Sequence, residues 1–324
     1  MCTAISFSSG EHYFFGRTLD LEYRYNETVT VTPRRFPFVW RQGGGLRSHY
    51  AIIGMATVAE NYPLYYEATN EAGLSAAGLN FPGNAVYLPP KPDHKNLAPF
   101  ELIPWLLGQC ATLEEARPLL KRLRLADIPF NRRFPLSPLH WLIADRTGSL
   151  VLEQTAEGLR IYDNPVGVLT NNPPFPYQLQ NLSNYQNLTR EMPVNRFCPG
   201  IKLDTYSRGM GGIGLPGDLS SASRFVRAAF VKLNSVCAAD EAAGLSQFFH
   251  ILGAVEQQRG CARVGRKFEI TLYTSCCNTA TGVYYYTTYD NRQLSAVDLR
   301  REALDGEHLI SYPLNDTVQI AWQN

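Results

Sequence analysis

A cysteine directly behind the initiator methionine can become a nucleophile that carries its own base. Methionine is commonly removed when the next residue is small, and its loss would leave Cys2 with a thiol and a free α-amine on one Cα. The thiol ionises near ~8.5 and the amine near ~7.7–8.0, so both change protonation close to neutral pH. The amine can then take the proton of its own side chain, as a terminal amine does for a threonine nucleophile. Many chains begin Met-Cys, so Cys2 alone is a weak signal. Two charged residues downstream strengthen it. Arg17 would bias the thiol toward thiolate, and Asp20 would hold the α-amine by a charge-assisted hydrogen bond. The competing reading is a solvated Arg/Asp pair on an edge hairpin. Arg17 and Leu19 share one face of a strand, so the spacing has Arg17 and Asp20 both reaching Cys2 only if the chain bends near Thr18–Asp20.

These residues need an N-terminal hairpin to carry them. Thr3 to Phe7 alternate polar and apolar, Ser8-Ser9-Gly10 signals a turn, and His12 to Thr18 reads as the returning strand. Short strands follow at Thr28–Thr32, Tyr50–Met55, Leu64–Thr69 and Leu74–Leu79. Phe100 to Gln109 has helical spacing, and a capping box at Thr112-Leu113-Glu114-Glu115 opens a second helix that runs to about Leu123. Strands resume at His140–Ala144, Leu150–Gln154, Leu159–Tyr162 and Gly167–Thr170. Ser221–Leu233 and Leu245–Val255 each place apolar residues on one helical face. The last strands are expected at Phe268–Cys276, Val283–Tyr289, Leu294–Leu299 and Val318–Trp322. Strands and helices come in blocks, without β-α-β-α alternation. The expectation is an α+β domain of mostly antiparallel sheets with helices segregated outside, spanning residues 1–324 without a linker.

Composition narrows the function. The 324 residues carry 30 Lys+Arg against 29 Asp+Glu, which gives no basic field for nucleic acid and no acidic tail. No run of 18 apolar residues suggests a membrane span, and the first twenty residues lack the basic start and apolar core of a secretory signal. The expected compartment is the cytoplasm. Seven cysteines show no C-x-x-C pair, and the six histidines (12, 49, 94, 140, 250, 308) show no zinc-ligand spacing, so no metal and no cofactor are expected. A formal G-x-G-x-x-G at Gly209, Gly211 and Gly214 lacks the preceding strand and following helix that dinucleotide binding requires, and reads as a turning loop. It lies in an irregular stretch over 173–218, and so long a stretch usually has a task of its own.

Several segments together resemble one family. They are Met-Cys-Thr-Ala-Ile at the start, Phe15-Gly16-Arg17-Thr18-Leu19-Asp20, Ala77-Gly78-Leu79-Asn80-Phe81-Pro82-Gly83, Leu169-Thr170-Asn171-Asn172-Pro173, Gly214-Leu215-Pro216-Gly217-Asp218, Ser221-Ala222-Ser223-Arg224-Phe225, Thr274-Ser275-Cys276-Cys277 and Tyr284 to Asp290. Each is weak, but their joint order is specific. In that order the chain resembles the bile salt hydrolases (choloylglycine hydrolases), grouped with the penicillin V acylases among the N-terminal-nucleophile hydrolases. The resemblance implies a four-layer αββα sandwich with Cys2 at the end of a central strand as nucleophile. It implies that Arg17, Asp20, Asn80, Asn171 and Arg224 complete the catalytic site. Asn80 would act through its backbone N–H and Asn171 through its side-chain amide, as two donors to the developing oxyanion, each worth roughly 3–4 kcal/mol.

The implied substrates are bile salts conjugated to glycine or taurine, with no cofactor. The implied walls of the steroid slot include Leu19, Tyr25, Ala59, Phe130, Phe134 and Leu139, for each of which an ordinary core position is an even alternative. The resemblance also implies a homotetramer, with Asn184 to Gly217 as an assembly loop. Three rivals stay open at this point: a penicillin V acylase with the same chemistry, a steroid- or lipid-binding relative without catalysis, and a Cys–His hydrolase that would need one of the six histidines.

Overall fold

Period-two alternation shapes the first hairpin. Strand β1 (Cys2–Ser9) pairs antiparallel with β2 (His12–Leu21), Cys2 lying opposite Leu19 and Ala4 opposite Arg17. Gly16 in β2 is required by packing, because a Cβ there would stand 2.0 Å from the Ser275 carbonyl oxygen of the neighbouring strand. That neighbour, Lys267–Asn278, pairs with the other edge of β2, and its register slips between Thr271 and Tyr273, opposite Asp20 and Leu19. A bulge of this kind sharpens the local twist at the end of the hairpin.

The computed structural model describes residues 1–92 and 95–324, so His94 lies outside the described residues. Two antiparallel sheets form its centre. The first runs in the order Val168–Leu169, β1, β2, Lys267–Asn278, Val283–Thr288 and Ser295–Asp298, with Ala262–Val264 added beside Lys267–Asn278. The second runs Gly158–Asp163, Gly148–Thr155, Leu139–Asp145, Ser75–Asn80, Tyr62–Asn70, Ile52–Ala59, Thr28–Thr32 and Ile310–Pro313. Helices α1 (Leu102–Gln109) and α2 (Leu113–Lys121) cover the outer face of the second sheet. A short α3 (Phe175–Asn181) follows the Asn171 loop, and α4 (Ser221–Asn234) and α5 (Glu241–Gly253) cover the first sheet. The result is the expected four-layer αββα sandwich.

Two apolar cores hold the layers. One joins the sheets to each other and to the α4–α5 layer, through Ala4, Phe15, Leu19, Val29, Met55, Leu142, Phe225 and Phe248. The other lies under α1 and α2, through Ile52, Leu102, Leu106, Leu113, Leu120 and Trp141. Each fully buried large apolar side chain contributes roughly 1.5–3 kcal/mol, and the two cores clamp both sheets flat-side to flat-side.

The ends of the chain depart from expectation. Val318–Trp322 forms no strand, and Ile310–Pro313 pairs with Thr28–Thr32 in its place. Val318, Ile320 and Trp322 do alternate, but they are exposed, at 63%, 63% and 79%. Alternation without a sheet edge to bury against does not make a strand. The glycines of the G-x-G-x-x-G pattern sit in a loop, with Gly209 and Gly214 at φ 79° and 100°. Among the described residues no helix is long and apolar enough to cross a membrane.

Candidate active site

Cys2 opens β1, is 3% exposed, and lines a cavity of about 530 Å³ between the sheets. The register of the hairpin puts Cys2, Arg17 and Leu19 on the face turned toward the second sheet. Arg17 is fully buried. Its Nη1 donates to the Gly78 carbonyl at 2.6 Å and the Tyr66 carbonyl at 3.2 Å, and its Nε donates to the Thr18 carbonyl at 3.2 Å. Nη2 is buried and finds no hydrogen-bond partner among the described residues. Burial acts to lower the guanidinium's proton affinity, but Cys2, Tyr273, Glu67 and Asp20 outweigh it and the net shift is upward.

The opposite face of the hairpin carries the other charged groups. The Asp20 carboxylate accepts from Thr271 Oγ1 at 2.7 Å and Thr18 Oγ1 at 3.3 Å, and lies 3.9 Å from Arg224 Nη1. Arg224 is presented by the first turn of α4, which Ser220 caps by accepting from the Ser223 N–H. Its Nη1 donates to the Cys2 carbonyl and to Thr3 Oγ1, both at 2.6 Å, and its Nη2 to Asn171 Oδ1 at 2.8 Å. Burial lowers its proton affinity, and Asp20, Cys2 and Glu269 oppose that. The bend expected near Thr18–Asp20 is therefore not what brings these groups together. Arg17 works from the side-chain face of Cys2, while Asp20 and Arg224 gather around the backbone of the same residue from behind.

Asn171 follows the edge strand Val168–Leu169, beside β1. Its Oδ1 accepts the Cys2 N–H at 2.8 Å and its Nδ2 donates to the Asn80 carbonyl at 2.7 Å. Its own N–H donates to Ser221 Oγ at 2.8 Å, which ties the loop to the start of α4. Asn80 ends the strand Ser75–Asn80 and lines the cavity. The six expected catalytic residues thus lie on β1, β2, Ser75–Asn80, the Asn171 loop and the start of α4.

With Met1 attached, the Cys2 nitrogen is an amide and its hydrogen bond goes to Asn171 rather than to Asp20. The Met1 ammonium donates to the Asp20 carbonyl at 2.5 Å and pairs with the Glu269 carboxylate, while the Asp20 N–H donates to the Met1 carbonyl at 2.9 Å. Burial raises the proton affinity of Glu269, and the Met1 ammonium opposes it.

The cavity walls are mostly apolar. Leu19, Tyr25, Phe130, Phe134 and Leu139 all line it. Ala59 does not. The Ile52–Ala59/Tyr62–Asn70 hairpin turns at Glu60 and Asn61, both left-handed at φ 51° and 56°, so Ala59 sits at its tip, beyond the lining residues Thr57 and Leu64. A wall that sequence reading found only in part is the segment Ile128–Ser137, whose Phe134 ring lies 6.2 Å from both Tyr25 and Phe130. A smaller cavity of about 290 Å³, walled by Gln257, Thr271, Thr288, Arg292 and other polar groups, has too little apolar surface for a steroid.

Glu67 and its partners were missed by sequence reading. The only signal was an acid at an inward position of a strand. Glu67 is 1% exposed and lies 3.8 Å from Arg17 Nε. Tyr284, Tyr273 and Ser275 donate their hydroxyls to it at 2.5, 2.8 and 2.9 Å. Among the described residues no histidine bonds to Cys2. His140 is buried in the second sheet, its ring nitrogens on Glu153 and the Thr170 carbonyl.

A family model for linear amide C–N hydrolases, choloylglycine hydrolase family, matches residues 2–312. A bile salt hydrolase/transferase of Lactiplantibacillus plantarum is 57% identical over 320 residues, covering 98% of both chains. One of Clostridium perfringens is 39% identical over 326 residues, covering 99% of both. The solved C2A mutant of conjugated bile acid hydrolase from Clostridium perfringens superposes with a TM-score of 0.93 at 37% identity over the whole of both chains. A penicillin V acylase from Agrobacterium tumefaciens superposes at 0.74 with 18% identity, covering 96% of this chain and 90% of its own, and so shares the fold. A match that starts at the cysteine and runs almost to the end of the last strand places the chain in the choloylglycine hydrolase family of linear amide C–N hydrolases.

Proposed function

We propose that the chain hydrolyses the amide bond of bile salts conjugated to glycine or taurine, through a thioester on Cys2. The observation that carries this reading is a buried cysteine at the start of a central strand, opening onto an apolar cavity of about 530 Å³ with Arg17 on the same face. A cavity of that size and character suits a rigid steroid. Relatives named bile salt hydrolase/transferase support the substrate class.

Removal of Met1 frees the Cys2 amine. That amine takes the thiol proton, the thiolate attacks the amide carbon, and the tetrahedral oxyanion is received by the Asn80 N–H and the Asn171 side-chain amide. The α-ammonium then protonates the departing glycine or taurine nitrogen. Water attacks the thioester with the amine as base, and free bile acid leaves. Asp20 takes over the ammonium that Met1 now places beside its carbonyl, and Arg224 fixes the Cys2 carbonyl and Asn171 together. The seven unpaired thiols suit a reducing compartment, the cytoplasm.

Cys2→Ala tests the reading. Hydrolysis of glycocholate and taurocholate falls to background, binding of both persists, and the intact mass of the active parent is one methionine short. Normal turnover by Cys2→Ala, or faster turnover of penicillin V than of both bile salts by the parent, overturns it.

A further inference from the structure

We propose that Glu67 is a positioning residue which, acting through Arg17, sets how readily the Cys2 thiol ionises. This deepens the reading above and rests on it.

Glu67 belongs to the second sheet but is solvated entirely by the first. Its Oε1 accepts from Ser275 Oγ and Tyr284 OH, and its Oε2 from Tyr273 OH, with Arg17 Nε 3.8 Å away. A buried carboxylate is expensive, and a well-packed apolar residue would serve stability as well. Four polar groups arranged around it therefore point to a use for the charge. Arg17 shows what that use is. Three of its donor contacts go to the carbonyls of Thr18, Tyr66 and Gly78, which fix the guanidinium without neutralising it. Its charge is left to be divided among Glu67, Asp20 and a Cys2 thiolate, and Nη2 remains buried with no hydrogen bond drawing it elsewhere.

Glu67 and the thiolate are thus rivals for one cation. A charged Glu67 weakens the pull of Arg17 on the sulfur, and a protonated Glu67 leaves that pull undivided. Burial raises the Glu67 carboxyl to about 7, against the opposing pull of Arg17 and the three hydroxyls, so the division changes across the neutral range.

The experiment uses purified protein beginning at Cys2, and follows iodoacetamide alkylation of Cys2 by peptide mass spectrometry across the pH range. Glu67→Gln keeps the shape of the side chain and removes its charge. The midpoint of the alkylation profile moves down by about one pH unit, so that alkylation below both midpoints is roughly tenfold faster. A midpoint that stays in place or moves up, in a variant that melts cooperatively, overturns the proposal. Should Glu67→Gln fail to fold, Tyr284→Phe removes one donor and keeps the carboxylate. Glu67 then holds its proton to higher pH and the midpoint moves in the same direction by less, and an unmoved midpoint again overturns the proposal. Hydrolysis that survives Cys2→Ala sinks the underlying reading. An unmoved alkylation profile beside an inactive Cys2→Ala sinks only the role of Glu67.

Discussion

The cysteine that opens the central strand β1 has three sides, and polar side chains divide them. Arg17 approaches the sulfur side, Arg224 holds the carbonyl, and Asn171 holds the nitrogen. Each is fixed by two or more hydrogen bonds before substrate arrives, which is the preorganisation that acyl transfer rewards. Glu67 extends the same logic one residue further from the sulfur, and it carries a stability cost that can be measured. Burial disfavours the charge and pushes its folded carboxyl up from the usual 4.5 to about 7. The native state therefore holds a proton there that the unfolded chain has released between those values. The associated stability is complete below about 4.5 and is lost as pH rises through about 7. The shift corresponds to at most on the order of 3 kcal/mol. Comparing denaturant midpoints at pH 5 and pH 8, Glu67→Gln gains on the parent at pH 8 relative to pH 5. An equal gap at both pH values would mean that Glu67 does not change its protonation between them.

At the scale of elements, the hairpin was legible because alternation, a Ser-Ser-Gly turn and two charges at fixed distance all lie within twenty residues. Four of the helices were legible from apolar stripes or a capping box, and α4 and α5 begin and end within a few residues of expectation, whereas α3 lies inside the stretch 173–218 that reads as irregular. The way Asp20 approaches Cys2 was not legible, because strand alternation puts it on the face away from the sulfur and only the packing of α4 shows that this face matters. Glu67 was invisible for the same reason, since its three hydroxyl donors come from strands more than two hundred positions away. Ala59 was misplaced because two left-handed residues end its strand just after it. That geometry gives an element-scale prediction. Phe134→Ala opens the wall formed by Ile128–Ser137, and should raise KM for glycocholate about tenfold, the cost of one lost large apolar contact. Ala59→Val, outside the lining, should leave KM within twofold. Steady-state kinetics on the two variants checks both, and a large effect at Ala59 with none at Phe134 would require a different path for the steroid.

On the scale of the whole molecule, the apolar residues left outside the two cores are concentrated. Val194, Phe197 and Tyr206 are 76%, 85% and 83% exposed within one irregular stretch, and Ile201 and Leu203 lie half-exposed between them. Isolated exposed apolar residues are ordinary, but a run of them on one loop marks a surface built to be covered. The segment from Asn184 to Gly217 contributes only a few backbone bonds, such as Thr189 N–H to the Gly211 carbonyl. The family resemblance carries the expectation of a tetramer, in which a second copy of the chain would cover this loop. Light scattering on the purified protein should therefore return the mass of four 36.3 kDa chains. Phe197→Asp with Tyr206→Asp places two charges on that exposed patch and should drive the expected assembly to smaller species. The candidate active site lies between the two sheets of one chain, so the dissociated variant should keep turnover of glycocholate within a few-fold of the parent. A double variant that still runs at the parental mass would show that this loop faces solvent in the assembly, and that the exposed aromatics have another use.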